Sequence, residues 1–194
     1  MMNIFLKTGI TLCLSIACLT AFAQKKSHSF TVSRTIAASA DEVWAVVGED
    51  FGAIANSHPK IVSSNYINGS LKSGEGAERV CHFNDEKTKY VHEKQVNYDP
   101  ENRSFKVQVL HSEDIPLDPE YSFAVYKVKE VNASASELSV EMTFRTKPAV
   151  MGAVAKGNFK KTLDAYLLAV EHHVKTGEIV NKETFKDIKK QYKE

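Results

Sequence analysis

From Pro148 to Thr176 the chain reads PAVMGAVAKGNFKKTLDAYLLAVEHHVKT, with Met151, Val154, Phe159, Leu163, Tyr166, Leu167, Val170 and Val174 recurring every three to five residues. Lys156, Lys160, Lys161, Asp164, Glu171 and Lys175 fall on the other faces. This periodicity predicts a long amphipathic helix, roughly 40 Å from end to end at the usual rise per residue. An apolar stripe of that length needs a broad apolar partner. The chain upstream offers only strands and two short helices, so the expected architecture is a curved antiparallel sheet closed over by one C-terminal helix. Gly152 and Gly157 interrupt the first half of the helix, each costing about 1 kcal/mol relative to alanine. They fit close approach of a ligand, a flexible lid, or a frayed first turn.

The upstream pattern supplies the sheet. Ser29–Ile36 alternates apolar and polar residues as a strand does. Ser39 followed by Glu42 forms a capping box ahead of Val43, Trp44 and Val47, which predicts a short helix. Gly48–Ser57 reads as a second one, stopped at His58-Pro59 because the residue before proline is pushed out of the helical region. Six further strands are expected at Ile61–Ile67, Ala77–Phe83, Lys89–Asp99, Ser104–Leu110, Tyr121–Val131 and Leu138–Thr146. Turn clusters such as Gly74-Glu75-Gly76 and Asn84-Asp85-Glu86-Lys87 separate them. His111–Glu120 is the longest connection, and its two prolines exclude a helix or a central strand.

Composition bounds the rest. With 194 residues and 43% hydrophobic content, one ordinary globular domain with its own core is expected. A net charge of +1 provides no field that would favour nucleic acid or an anionic membrane. Residues 1–23 read as a cleaved secretory signal: Lys7, an apolar run from Ile10 to Leu19 too short to span a bilayer, then Ala21-Phe22-Ala23 before Gln24. The expectation is a periplasmic or secreted protein with no membrane span after processing. A lipid anchor at Cys18 is the alternative, although Ser15 stands where such a motif carries an aliphatic residue. Cleavage removes Cys13 and Cys18 and leaves Cys81 without a partner, most simply as a buried thiol. The sheet-and-helix domain would then occupy residues 24–176, followed by a lysine-rich tail at 177–194. Phe185, Ile188 and Tyr192 allow a short helix in that tail, but a solvated, loosely docked segment is the expectation.

Arg79 and Glu93 carry the most chemistry. A tight turn around Asp85-Glu86-Lys87 would place Arg79 across from Glu93, and Cys81 across from Val91, on one face of a hairpin. The pair reads as a structural ion pair, as a polar anchor for a ligand, or, with Glu93 as general acid or base, as a catalytic group. Hydrophobicity alone would turn Tyr90, His92, Val96 and Tyr98 inward instead of Val91, Glu93, Gln95 and Asn97, and a one-residue slip separates the two choices. Phe105, Val107, Val109, Leu138, Val140, Met142 and Phe144 alternate with polar residues and should face the helix as core or pocket lining. Tyr121, Phe123 and Tyr126 lie on mixed faces. No zinc-binding or paired-cysteine spacing joins the seven histidines. His172 and His173 are expected to interact with the helix dipole. Neither a nucleophile elbow nor a phosphate-binding loop is legible. No metal or other cofactor is expected.

Several motifs resemble one family in their order along the chain: Ala40-Asp41-Glu42-Val43-Trp44-Ala45-Val46, Phe51-Gly52-Ala53-Ile54, His58-Pro59, Gly74-Glu75-Gly76-Ala77-Glu78-Arg79, His92-Glu93 with Tyr98-Asp99, and Arg103-Ser104-Phe105. The chain resembles the START-like polyketide cyclase and lipid-transport superfamily, whose α+β helix-grip fold is that of the birch pollen allergen, over roughly Phe30 to Lys175. The resemblance implies a seven-stranded antiparallel sheet, two short helices after the first strand, a long C-terminal helix over the concave face, and a cavity between them. It puts Val91, Glu93, Gln95 and Asn97 on the inner face, and Arg79 and Glu93 in the cavity wall. The expected ligand-contacting set is Arg79, Glu93, Cys81, Phe105, Val107, Tyr121, Met142, Phe144, Met151 and Phe159, around a hydrophobic or amphipathic small molecule. A cyclase/dehydratase-like enzyme using Glu93 is the second reading, and an envelope interaction protein with a filled cavity the third. The turn Asn84–Lys87 lacks the glycine and proline of the plant hormone receptors' gate, so no such gate is carried over.

Overall fold

The computed structural model describes residues 27–192 except 68. The expected signal segment, 1–23, lies outside them. β1 (His28–Ile36) leads into α1 (Ala40–Val47) and a 3-10 helix at Phe51–Asn56. β2 (Ser63–Tyr66), β3 (Glu78–His82), β4 (Tyr90–Asp99), β5 (Ser104–Glu113), β6 (Phe123–Asn132) and β7 (Ala135–Phe144) follow. The chain then forms α2 (Gly152–Thr176) and α3 (Phe185–Gln191). Among the described residues seven strands make one antiparallel sheet in the order β1-β7-β6-β5-β4-β3-β2.

Local chemistry explains the elements. Ser39 caps α1 and Glu42 returns the bond to the Ser39 backbone, closing the capping box. Trp44 then packs from α1 onto Tyr98 and Phe105, with ring centroids 5.6 and 5.8 Å away. The second short helix is 3-10 rather than α. Gly52 sits there against the face of the Tyr66 ring, where an added Cβ would lie 2.3 Å from the nearest ring carbon. In β4 the inner face is Val91, Glu93 and Gln95, with Val91 and Gln95 buried. A register shift between Val96 and Asp99 ends the alternation. Asn97 takes a φ of 51° and turns outward, while Tyr98 swings in against Trp44. The simple period of two therefore fails at Asn97, because a bulge inserts an unpaired residue.

The long helix differs from its expected stripe. Val154, expected inside, is 72% exposed, whereas every residue from Tyr166 to His172 is buried. Besides α1, the extra burial comes from the C-terminal segment, which is docked, not solvated: Val180 and Ile188 are buried against Ala169, with Phe185 and Tyr192 packed around them. Gly152 marks a close approach, but of the His28 ring rather than a ligand, and Gly157 faces open space. His172 and His173 are engaged by the segment beyond the helix: His172 Nε2 lies 2.9 Å from the Glu178 carboxylate, and His173 Nδ1 2.7 Å from the Glu178 carbonyl. No helix among the described residues is long and apolar enough to cross a membrane.

Candidate ligand cavity

A cavity of about 1240 Å³ lies between the sheet and the first half of α2. Its apolar walls come from Val91 on β4, Ala124 on β6 and Met142 on β7, and from Ile115–Leu117 between β5 and β6. Met151, Phe159 and Leu163 on α2 complete them. Polar groups converge at one corner: Arg79 and Glu93 from the β3–β4 hairpin, Tyr126 from β6, and His58 from the loop after the 3-10 helix.

The hairpin register is the expected one, Arg79 opposite Glu93 and Cys81 opposite Val91. Arg79 Nε and Nη2 each lie 2.8 Å from Glu93 Oε2, and Nη1 donates to the Phe51 carbonyl at 2.5 Å. The guanidinium also rests on the Phe51 ring, 3.8 Å from its centroid. Arg79 is thus held on three sides, as a buried cation must be. Glu93 Oε2 takes the guanidinium, and at 3.8 Å the Cys81 thiol, leaving Oε1 without a hydrogen-bond partner among the described residues. Glu93 lines the cavity, so an acceptor faces any occupant.

His58 is buried, and its Nδ1 accepts the backbone N–H groups of Lys60 (3.1 Å) and Ile61 (3.2 Å). A ring accepting at Nδ1 carries its proton on Nε2 when neutral. Burial, reinforced by the charges of Arg79 and Lys60, pushes its pKa down to about 3. The imidazole is therefore neutral at physiological pH, and it packs on Tyr166 at 5.1 Å. Tyr126 stacks on Phe105 at 4.7 Å, and burial pushes its phenol pKa up against the opposing charge of Arg79. Burial also raises the Cys81 thiol to about 12, with Arg79 opposing the shift. Such a thiol is no nucleophile near neutral pH.

Of the expected contact residues, the structure brings Arg79, Glu93, Met142, Met151 and Phe159 to the cavity wall. Cys81, Phe105, Val107 and Phe144 sit behind that wall in the packed core. Cys81 touches Glu93 from below, Phe105 backs Tyr126, and Phe144 meets Phe159 edge-on at 4.8 Å. Tyr121 is remote: it lies in a short 3-10 turn, and the Arg145 guanidinium covers its ring at 3.2 Å. Sequence reasoning missed His58 as a site residue because its position before Pro59 already explained it as a helix stop. It also missed Ile115–Leu117, since prolines mark a connection without saying what the connection covers. Among the described residues no group of three His, Cys, Asp or Glu side chains is arranged to hold a metal ion.

The same architecture recurs in solved structures. A START superfamily protein from Mycobacterium smegmatis superposes with a TM-score of 0.63 at 16% identity, covering 76% of this chain and 97% of that one. The Zhui aromatase/cyclase from Streptomyces sp. R1128 gives 0.60 at 16% identity, over 77% and 94% of the two chains. Norcoclaurine synthase from Thalictrum flavum gives 0.59 at 18%, over 78% and 88%. At such identities the likeness establishes the fold and nothing finer. No curated protein matches the sequence. The family described as polyketide cyclase / dehydrase and lipid transport matches residues 27–173, which spans most of the sheet and helix that form the cavity. With its START-like helix-grip fold, the chain belongs to that family.

Proposed function

We propose that this chain is an exported binding protein that holds a hydrophobic or amphipathic small molecule between sheet and helix. The carrying observation is the cavity itself, about 1240 Å³, with apolar walls from sheet and helix, a polar corner at Arg79, Glu93, Tyr126 and His58, and further polar residues such as Asn84, Lys89 and Lys182 in its lining. Ligand sites have this make-up: apolar walls for affinity, a few placed polar groups for orientation. The corner offers an acceptor at Glu93 Oε1 and donors at His58 Nε2 and the Tyr126 hydroxyl, suited to a neutral hydroxyl or carbonyl group.

The titration of His58 and Tyr126 in the corner, and of Cys81 behind it, suits none of the three to turnover. General acid–base catalysis works best with a pKa near the operating pH. His58 is pushed down to about 3, Cys81 up to about 12, and Tyr126 further above its ordinary value. Each keeps its proton fixed at neutral pH. Export rests on the signal-like segment at 1–23.

Native mass spectrometry of the protein purified from its exported form, followed by organic extraction, tests the reading. A retained apolar mass is expected. Met142→Trp, which projects a bulkier ring from the wall into the cavity, should lower its occupancy at least tenfold. No adduct, together with no thermal shift across a panel of lipids and aromatic compounds, would overturn it. The cyclase/dehydratase alternative predicts turnover of a polyketide-like substrate that Glu93→Gln abolishes while binding persists.

A further inference from the structure

The family match ends at residue 173, and the segment beyond it is built into the cavity. Gly177 closes α2 in the left-handed conformation, with a φ of 73° and its N–H on the His173 carbonyl. The chain then crosses to the loop that carries His58. Val180 is fully buried, its N–H donates to the Asn56 carbonyl at 2.9 Å, and it forms a bridge with Ser57. From there α3 returns to α2, where Ile188 is buried against Ala169. The Tyr192 hydroxyl lies 3.3 Å from His172 Nδ1. Between the Val180 and Ile188 anchors, Asn181, Lys182, Glu183 and Phe185 line the cavity, as does Ile179 just before them.

We propose that residues 177–192 form a strap that closes one side of the cavity, and that exchange of its contents requires release of Val180. The strap's hold on the His58 side of the mouth is small: one buried valine and one backbone hydrogen bond at Asn56–Ser57. Among the described residues a further link across this side is the Lys60 ammonium on the Thr162 hydroxyl, 2.7 Å long and exposed. The α2 side is held more firmly, by Ile188, Tyr192 and the Glu178 contacts of His172 and His173. The strap therefore hinges from its α2 attachment and opens at Val180. Freeing Val180 also loosens the segment directly before His58, so opening changes the polar corner and the wall together. Short segments with few buried anchors are the ones that open locally while the core stays folded.

The inference deepens the binding reading and is tested without a ligand. With Cys13, Cys18 and Cys81 replaced by serine, Met142→Cys places a single thiol in the cavity wall, and its rate of labelling by N-ethylmaleimide reports access. Val180→Asp should raise that rate at least tenfold. The milder Val180→Ala, which keeps the fold if the aspartate does not, should raise it about threefold. A second reporter, Val140→Cys, sits in the packed core on the same strand and should stay unlabelled throughout. Labelling of the Met142→Cys thiol within twofold of the parent in the folded variants would overturn the strap. So would an equal rise at both reporters, which signals global opening. Absence of a bound ligand in the mass spectrum would remove the carrier reading and leave this outcome readable.

Discussion

Along α2, residues 152–163 and residues 166–172 follow one apolar periodicity but have opposite surroundings. The first half spans the cavity: Val154 is largely exposed, and Phe159 and Leu163 are half-buried at the wall. The second half is buried on all sides, down to Glu171 and His172. One sheet can cover only one face of a helix. Complete burial needs further partners, and α1 together with the strap and α3 supplies them. Glu171 tolerates this because Arg34 and Lys175 meet its carboxylate. The contrast assigns the second half to stability and the first to the cavity.

Truncations should separate the halves most clearly. Leu167→Ala, at a fully buried side chain, should destabilise by about 3 kcal/mol through lost burial and the cavity left behind, read as a lowered midpoint in urea unfolding. If Leu167→Ala cost no more than a surface change, the division of labour would fail. His58, packed on Tyr166 at the junction of the halves, should set a pH dependence. Its pKa drops from 6.5 to about 3 on folding, so the unfolded chain binds the extra proton. The stability this confers is complete above pH 6.5 and declines as pH falls through the window toward 3. At pH 5 the loss is about 2 kcal/mol. His58→Asn, whose amide oxygen can replace Nδ1 as acceptor, should flatten that part of the profile of unfolding midpoint against pH.

Smaller effects sharpen the comparison. Gly157 has open space around its Cβ position, so Gly157→Ala should stabilise by about 1 kcal/mol through helix propensity. Gly152→Ala should lose that gain, because its Cβ would meet the His28 ring at 2.3 Å. A thermal melt of the two variants side by side checks this. Val154→Ser should change stability by no more than about 0.5 kcal/mol, while an effect on ligand occupancy would place Val154 at the working rim of the cavity.

Much of this fold was legible in the chain. The capping box at Ser39 and Glu42 and the order of strands and helices are local signals, and turn chemistry set the hairpin that faces Arg79 with Glu93. The inward facing of Val91, Glu93 and Gln95 is different in kind. Composition on β4 pointed to the opposite face, and only the family register gave the observed one. The cavity wall was half legible. Apolar positions on β5 and β7 alternate in the same way whether they line a cavity or pack behind it, so Phe105, Val107 and Phe144 could not be told from Met142.

What the sequence by itself determined is therefore the set of elements, their antiparallel pairing and the partner of the Arg79 guanidinium, because periodicity and turn residues act over a few positions. What only the tertiary structure decided is which apolar residues line the cavity, where the bulge at Asn97 breaks the alternation, and that the lysine-rich C-terminal segment docks. Each of these depends on contacts between residues far apart in the chain. Val180 meets Asn56 and Ser57 across more than a hundred positions, and no local pattern around Val180 records the surface that buries it.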